Sequence, residues 1–294
     1  MYYTDKTFLY RDGQFLKAAE TTIDLYGQTL HYGYGVFEGI RSYKTASGAK
    51  IFKAKEHYDR LHRSAQMLNI PLKYSVQEME EATYEVLRLN GFENAYIRPI
   101  VICSPNMSLS HPKETSLVIE TWDWGAYLGD KRLDIMISSF CRPHPRSTKV
   151  EAKVCGHYVN SILATSEAKD KGFDEALLLD SDGFLAEGPG SNLFFEKDGV
   201  LHTPQLGNIL AGITRETLIE LCNQLSIPLK QGLFKQEDLL NADGAFLCGT
   251  GAEIVGLNSV NKKQFSKEWK DTFGFTLQKA YKNLVMELPI TATH

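Results

Sequence analysis

The stretch EALLLDSDGFLAEGPGSNLFFEKDGVLHTP, from Glu175 to Pro204, constrains this chain more than any other. Short apolar runs are separated by Asp182-Gly183, by a Gly-Pro-Gly turn at 188–190 and by Asp198-Gly199. Asp-Gly pairs between apolar runs supply the positive φ angles that two-residue hairpins need. The segment therefore predicts an antiparallel meander.

Helices are segregated from these strands. KEHYDRLHRSAQMLNI (55–70) places Tyr58, Leu61, Ala65 and Leu68 on one helical face. VQEMEEATYEVLRLNG predicts a second helix, with Gly91 as its C-cap. AYIRPIVIC, TSLVIETWDW and LDIMISSF are rich in β-branched and aromatic residues and predict strands. NSILATSEAKDKG predicts a helix closed by Gly172. GITRETLIELCNQLSI predicts another, with Thr214 as N-cap, and the last helix lies within Lys267–Leu288. GAFLCGTGAEIVGL reads as a strand, a Gly-Thr-Gly turn and a further apolar run. Such segregation predicts an α+β fold, not a doubly wound sheet. WGAYLGDKR breaks the pattern with Gly125 and Gly129. It divides a smaller N-terminal domain of mixed α and β structure (1–124) from an interdomain loop (125–132). A larger C-terminal domain of antiparallel strands and flanking helices (133–294) follows.

Composition narrows the function. The 294 residues are 43% hydrophobic and 23% charged, enough apolar material for a sizeable core. A net charge of -4 argues against a nucleic-acid footprint. No run approaches the roughly 18 apolar residues of a membrane helix. MYYTDKTFLYRDG has no apolar leader core, so no secretory signal is expected. The five cysteines are odd in number and contain no CxxC pair, which points to a reducing, cytoplasmic compartment. The histidines show no metal-site spacing, and His31, His57, His62 and His157 are read as packing or turn residues.

Three features of the second half could carry chemistry. Lys153, in VEAKVCGHYVNSIL, is either a solvated surface charge or, if desolvated, a nucleophilic amine able to form a Schiff base. Glu187, in FLAEGPGSNLFF, is either an exposed turn carboxylate or a buried acid facing a cationic ring nitrogen. Gly212, Ile213 and Thr214 open a helix whose free amides suit a phosphate, and Thr250, in CGTGAE, could serve the same anion. Either turn is also an ordinary cap. No GxxxxGK[ST] or GxGxxG fingerprint is present. A pyridoxal phosphate site needs a lysine, a carboxylate and phosphate donors, and all three occur in order. The first half adds Arg41, Arg60, Arg63 and Arg98. Arg98 interrupts an apolar strand, so it lies on an open face or is buried with an anion, whether a ligand or an internal partner.

Taken together, HYGYGVFEGIRSY, EHYDRLHRSA, AYIRP, KVCGHYVNS, EGPGSNLF, GITRET and GTGAEI resemble the successive motifs of branched-chain amino-acid aminotransferases, of the fold-type IV pyridoxal phosphate class. The resemblance covers roughly residues 8–285. It implies a two-domain fold-type IV enzyme whose larger C-terminal domain binds the cofactor. Lys153 would be the Schiff-base lysine and proton carrier, Glu187 the partner of the pyridine nitrogen, and Tyr158 the donor to the ring's phenolic oxygen. Arg60, Ile213, Thr214 and Thr250 would hold the phosphate, with Leu210, Gly212 and Gly249 also at the cofactor. The Thr250–Gly251 turn and Tyr96 would meet the substrate α-carboxylate. Phe37, Trp124, Tyr127 and Leu210 would wall an aliphatic pocket. Tyr32, Arg41 and Arg98 would admit the second carboxylate of glutamate. The implied reaction exchanges an amino group between leucine, isoleucine or valine and 2-oxoglutarate, in a homodimer or higher homo-oligomer. Two departures bear on substrate preference: Gly251 stands where bacterial members often carry alanine, and Ser191 replaces a frequent glutamate. Rival readings are a D-amino acid aminotransferase, an aminodeoxychorismate lyase, or a non-catalytic anion-binding protein of this fold, which would not need Lys153.

Overall fold

The computed structural model describes residues 2–125, 128 and 131–290. Packing divides the chain into two compact units, Met1–Gly125 with Ala152–His157, and Ala126–Glu151 with Tyr158–His294.

The first unit is an antiparallel sheet backed by helices. Its elements are β1 (Phe8–Arg11), β2 (Gln14–Lys17), α1 (Gln28–Tyr32), β3 (Gly35–Phe37), β4 (Ile40–Thr45), β5 (Gly48–Ile51), α2 (Ala54–Met67), α3 (Val76–Asn90), β6 (Ala95–Cys103) and β7 (Thr115–Trp122). The strands run β2-β1-β7-β6-β4-β5, with β3 added to β6. The period of two sorts β6: Ile97, Val101 and Cys103 enter the core, while Arg98, Ile100 and Ile102 are half-buried on the opposite face. On α2, Tyr58, Leu61 and Ala65 are buried, as their spacing predicts. Ser75 and Glu78 close a capping box on α3, and Gly91 ends it at φ 68°.

The lysine segment belongs to this unit, although its neighbours in sequence do not. The reason lies in its backbone. Phe37 N donates to Lys153 O at 3.1 Å, Gly156 N to Gly33 O at 2.9 Å, and Val154 bridges Val36. Lys153 N donates to Ser64 Oγ on α2 at 3.0 Å. Half-buried backbone groups need partners, and here the first unit supplies them.

The second unit contains β8 (Leu133–Cys141), α4 (Tyr158–Asp170), β9 (Glu175–Leu179), β10 (Leu185–Gly188), β11 (Ser191–Lys197), β12 (Val200–Pro204), α5 (Ile213–Gln224), β13 (Leu229–Gly232), α6 (Gln236–Leu240), β14 (Gly244–Gly249), β15 (Glu253–Val260), β16 (Lys263–Gln264) and α7 (Phe273–Val285). The predicted meander is β9 to β12, with left-handed Gly183, Asp198 and Gly199 at its turns. The sheet runs β10-β9-β8-β15-β14-β11-β12-β13, and β10 also pairs with β11. That extra pairing closes a ring through β10, β9, β8, β15, β14 and β11, which removes exposed edges among them. The strands are not all antiparallel, contrary to the expectation from sequence: β8 is parallel to β9 and β15. The helix α4 carries the chain from β8 back to β9, and such a crossover delivers parallel strands. Thr214 is not the cap of α5. Gly212 occupies that position, and Thr214 sits inside the first turn with 3% of its surface exposed.

Gly33 tests how the lysine segment is seated. It has φ 64°, and a Cβ there would lie 2.6 Å from Gly156 Cα, whereas a Cβ at Gly91 would meet nothing within 4 Å. Both substitutions to alanine strain the backbone by about 1 kcal/mol. Gly33→Ala adds overpacking of about 1–3 kcal/mol. Urea unfolding should therefore show Gly33→Ala clearly less stable than Gly91→Ala; equal losses would mean the Gly33–Gly156 approach is not tight in solution.

Candidate functional site

In the first unit, the residues singled out from sequence gather around the end of β3 and the middle of β6. Arg41 faces Tyr96 in register, and Tyr96 faces Trp122. Lys153 Nζ lies 5.0 Å from the Phe37 ring centroid, and the Arg98 guanidinium lies 4.6 Å from it. Arg98 also stands over Tyr96 and Trp122, at 5.3 and 5.8 Å, and donates to Tyr96 Oη at 3.1 Å. Tyr96 packs edge-on against Trp124 at 4.8 Å. Arg41 donates to the carbonyl of Gly125. These aromatic faces accept a cation where few anions are near. Arg98 Nε is buried without a hydrogen bond, and Arg98 makes no salt bridge among the described residues. Gly39 permits the arrangement, because a Cβ there would stand 2.1 Å from Tyr96 Oη. Tyr32 is not brought to this group: it is 46% exposed and donates to Met107 O at 3.2 Å. Tyr127 lies outside the described residues.

Arg60 comes with partners that the sequence did not announce. Glu38, wholly buried at the β3–β4 corner, accepts from Arg60 Nε at 2.6 Å and Nη2 at 2.8 Å. His57 Nδ1 lies 2.8 Å from the same carboxylate. Residues 57, 60 and 64 fall on one face of α2, so His57, Arg60 and the Ser64 that holds Lys153 N are neighbours. Burial alone would raise the Glu38 carboxyl, but the Arg60 and His57 contacts outweigh it and hold Glu38 well below the usual carboxylate range.

In the second unit, Glu187, Leu210, the start of α5 and the end of β14 converge. Glu187 pairs across the sheet with Asn192, and Asn192 with Cys248. A bulge between Leu185 and Glu187 turns the carboxylate out of the regular β9–β10 register. Its oxygens receive Leu210 N at 3.1 and 3.2 Å and Asn192 Nδ2 at 3.1 Å. Arg142 Nε lies 3.0 Å away, a close charge contact whose N–H direction misses hydrogen-bond alignment. Glu187 is thus a buried, multiply partnered acid and not an exposed turn residue. Asn192 also donates to Leu210 O, and its side chain fills the space a Cβ on Gly212 would take, 1.9 Å from Oδ1. Helix α5 starts without a side-chain cap, so the amides at Ile213 and Thr214 lie at an open helix end. Gly249 ends β14 beside the turn after Glu187, and Thr250 and Gly251 follow, half-buried. Tyr158 opens α4; one turn on, Ser161 Oγ donates to Pro189 O at 2.7 Å and ties that helix to the same turn. Ser191 packs its hydroxyl against Gly188 within the turn.

Glu38, His57, Asn192 and Arg142 were missed because their partners are remote in sequence. The signal available for Glu38 was its place inside VFEGIR, between Phe37 and Arg41. Among the described residues no cluster of possible metal ligands occurs, and no helix is long and apolar enough to cross a membrane.

The chain matches the family model described as amino-transferase class IV over residues 35–260. It is 39% identical over 283 residues to the branched-chain-amino-acid aminotransferase of Pseudomonas aeruginosa, across 94% of this chain and 92% of the relative. The branched-chain aminotransferase of Escherichia coli superposes with a TM-score of 0.93 at 35% identity, covering 96% of this chain and 95% of that one. The branched-chain enzyme of Thermobaculum terrenum, solved in its pyridoxal phosphate form, superposes at 0.90 with 30% identity, covering 97% and 95%.

His57 gives this site an acid limit. Burial pushes its imidazole below the ordinary range, against the pull of Glu38, and Arg60 and Lys153 add to the depression. The unfolded imidazole, near about 6.5, then binds a proton more readily than the folded one. Its stabilising contribution is present above that value and is lost as pH falls through the lower folded one. Urea midpoints should fall between about pH 7.5 and about pH 5.5, and fall less in His57→Asn, which keeps a donor for Glu38. The same fall in both proteins would place the acid sensitivity elsewhere.

Proposed function

Because the chain belongs to the class IV aminotransferase family, and within it to the branched-chain-amino-acid aminotransferases, we propose that it exchanges an amino group between leucine, isoleucine or valine and 2-oxoglutarate, with pyridoxal 5'-phosphate as cofactor. The observation that carries this reading is Lys153, held on both sides by its backbone while its ammonium lies against Phe37. The donor set suits the cofactor. Glu187 is a buried acceptor for a protonated ring nitrogen, Arg60 and the open end of α5 suit a phosphate, and Tyr158 offers a hydroxyl at the start of α4. Leu210, Gly212, Gly249 and Thr250 adjoin these groups in sequence or across the sheet.

When bound, pyridoxal phosphate supplies an aldehyde to take the amino group and a ring to accept the electron pair released at the substrate Cα. The protein's own tasks are then few. Lys153 Nζ would carry the proton between the substrate Cα and the cofactor's C4′ carbon. Glu187 would pair with the ring nitrogen, and Arg142 with the Leu210 amide hold the Glu187 carboxylate in place. Thr250 and Gly251, with Tyr96, receive the α-carboxylate, while Phe37, Trp124, Tyr127 and Leu210 exclude water around an aliphatic chain. Arg98, with Arg41, receives the distal carboxylate of glutamate; Tyr32, which lies apart from them in its own chain, would reach that carboxylate only from a second copy of the chain. The buried Nε of Arg98 supports this role, since buried donors are normally paired and a substrate carboxylate would pair it.

We extend the reading to a homodimer in the cytoplasm. Leu25, Tyr26, Leu30, Tyr32, Met107 and Leu109 are exposed. They lie on two segments joined by Asn106 N to Tyr26 O at 3.3 Å, and an apolar surface of that kind suits a second copy of the chain. Free cysteines among the described residues agree with a reducing compartment.

A panel of amino donors with 2-oxoglutarate tests the substrates: L-leucine, L-isoleucine and L-valine should be consumed, and turnover of D-alanine in their place would favour the D-amino acid branch. Borohydride reduction of the holoenzyme followed by peptide mapping should place the pyridoxyl group on Lys153. A label on Lys149 would sink the lysine assignment.

Arg98→Met should slow the 2-oxoglutarate half-reaction about ten- to a hundredfold, the loss of one charge-assisted hydrogen bond from a desolvated site. The leucine half-reaction should change far less. Single-turnover rates for each half decide it, and equal losses would assign Arg98 to the shared α-carboxylate or to the fold.

A further inference from the structure

We propose that Glu38 is a positioning residue: it fixes the guanidinium plane of Arg60 for the cofactor phosphate. This rests on the reading of Arg60 as a phosphate ligand given above. Glu38 is fully buried, and its two oxygens meet Arg60 Nε at 2.6 Å and Nη2 at 2.8 Å, a parallel pair of bonds that sets both distance and plane. One such bond would leave the guanidinium free to rotate. Two do not.

Two further groups meet the carboxylate itself. His57 Nδ1 lies 2.8 Å from Oε2, and the Gly39 amide donates to the same oxygen at 3.3 Å. The Glu38 backbone N–H donates to Pro99 O at 2.8 Å and ties the corner to β6. The chain from β6 through Glu38 to Arg60 is therefore hydrogen-bonded at each link. The pair uses the Nε–Nη2 edge of the guanidinium, so the Nη1 end is directed away from Glu38.

Two effects of Glu38 oppose each other. Its charge weakens the attraction of Arg60 for a second anion, so deleting the charge would by itself tighten phosphate binding. Its geometry holds Arg60 in one orientation, so deleting the geometry loosens it. Orientation should win, because a glutamine amide must set its N–H2 group against Arg60 Nε at the Oε1 position or against Arg60 Nη2 at the Oε2 position. Either choice sets donor against donor in a buried site, and the guanidinium must turn to relieve it.

The test titrates the apoenzyme with pyridoxal 5'-phosphate and, separately, with pyridoxal, which shares the ring and aldehyde but lacks the phosphate. Absorbance reports binding. Glu38→Gln should weaken pyridoxal 5'-phosphate about tenfold and leave pyridoxal unchanged, the size expected for a degraded charge-assisted contact. Unchanged or tighter pyridoxal 5'-phosphate binding would overturn the proposal, and so would equal weakening of both ligands, which marks general damage. Arg60→Met separates the proposal from its premise. If that variant keeps the wild-type preference for the phosphorylated ligand, Arg60 does not hold the phosphate. If it loses the preference while Glu38→Gln keeps it, Arg60 acts without Glu38. Adding Glu38→Gln to Arg60→Met should change the preference no further. If Glu38→Gln does not fold, Glu38→Asp keeps the charge while shortening the reach, and a reduced preference there supports the same conclusion as an unchanged one refutes it.

Discussion

The position of one ammonium group depends on a closed circuit of contacts. Lys153 O accepts from Phe37 N, and Lys153 N donates to Ser64 Oγ. Ser64 lies one helical turn beyond Arg60 on α2, Arg60 is locked to Glu38, and Glu38 is the residue after Phe37. The circuit returns to its start. Each member is buried or nearly so, and each link is a hydrogen bond, an ion pair or a peptide unit. A single exposed ion pair would contribute little, about 0–1 kcal/mol, but a buried one that loses a partner is costly by several times that. The circuit ties the lysine backbone and Arg60 to the same two elements, the end of β3 and α2.

The second unit solves a different problem by different means. An acid must be kept ionised inside a protein, which costs several kcal/mol unless it is partnered. Ring closure through β10 and β11 brings Asn192 beside Glu187, the bulge aims the carboxylate, and the stretch before α5 presents the Leu210 amide. Arg142 adds a cation in direct contact with it. The same closure places Gly249 against the turn at Gly190, so two loops distant in sequence meet without a side chain between them.

Local sequence made the elements legible, and remote pairing hid the rest. The Asp-Gly turns, the Gly91 cap and the buried stripe of α2 follow from periods and dihedral preferences that act within a few residues. The parallel pairing of β8 with β15 does not, because that partner lies more than a hundred residues later. Thr214 fails as a cap for a reason the local sequence does not show. Intrinsic preference scarcely separates Thr from Gly at a cap, and Asn192 occupies the space beside Gly212, which leaves room for glycine alone at that position. By position in the sequence the lysine segment falls in the C-terminal half, where its neighbours are, yet its backbone partners lie in the first unit. Lys153, Glu187 and Arg60 were legible as residue types in order. Glu38 and His57 were not, because an internal ion pair across 22 residues leaves no periodic trace.

Arg98 shows how a half-buried cation can be held without a salt bridge among the described residues. A carboxylate partner would satisfy it permanently and leave nothing for an incoming acid. Glu120 stands opposite it in register on β7, but no ion pair joins them. Three aromatic faces surround it instead, at 4.6, 5.3 and 5.8 Å. Each such contact is worth about 0.5–2 kcal/mol, enough together to offset part of the desolvation cost and too diffuse to saturate the guanidinium's five donors. The rings also present apolar edges, so the same wall that steadies the cation is compatible with an aliphatic chain. Under the proposed reading, one pocket then serves leucine with Arg98 resting on its rings, and glutamate with Arg98 turned to a carboxylate. The change between the two is one of hydrogen bonding at a single side chain, and the sheet beneath it need not move.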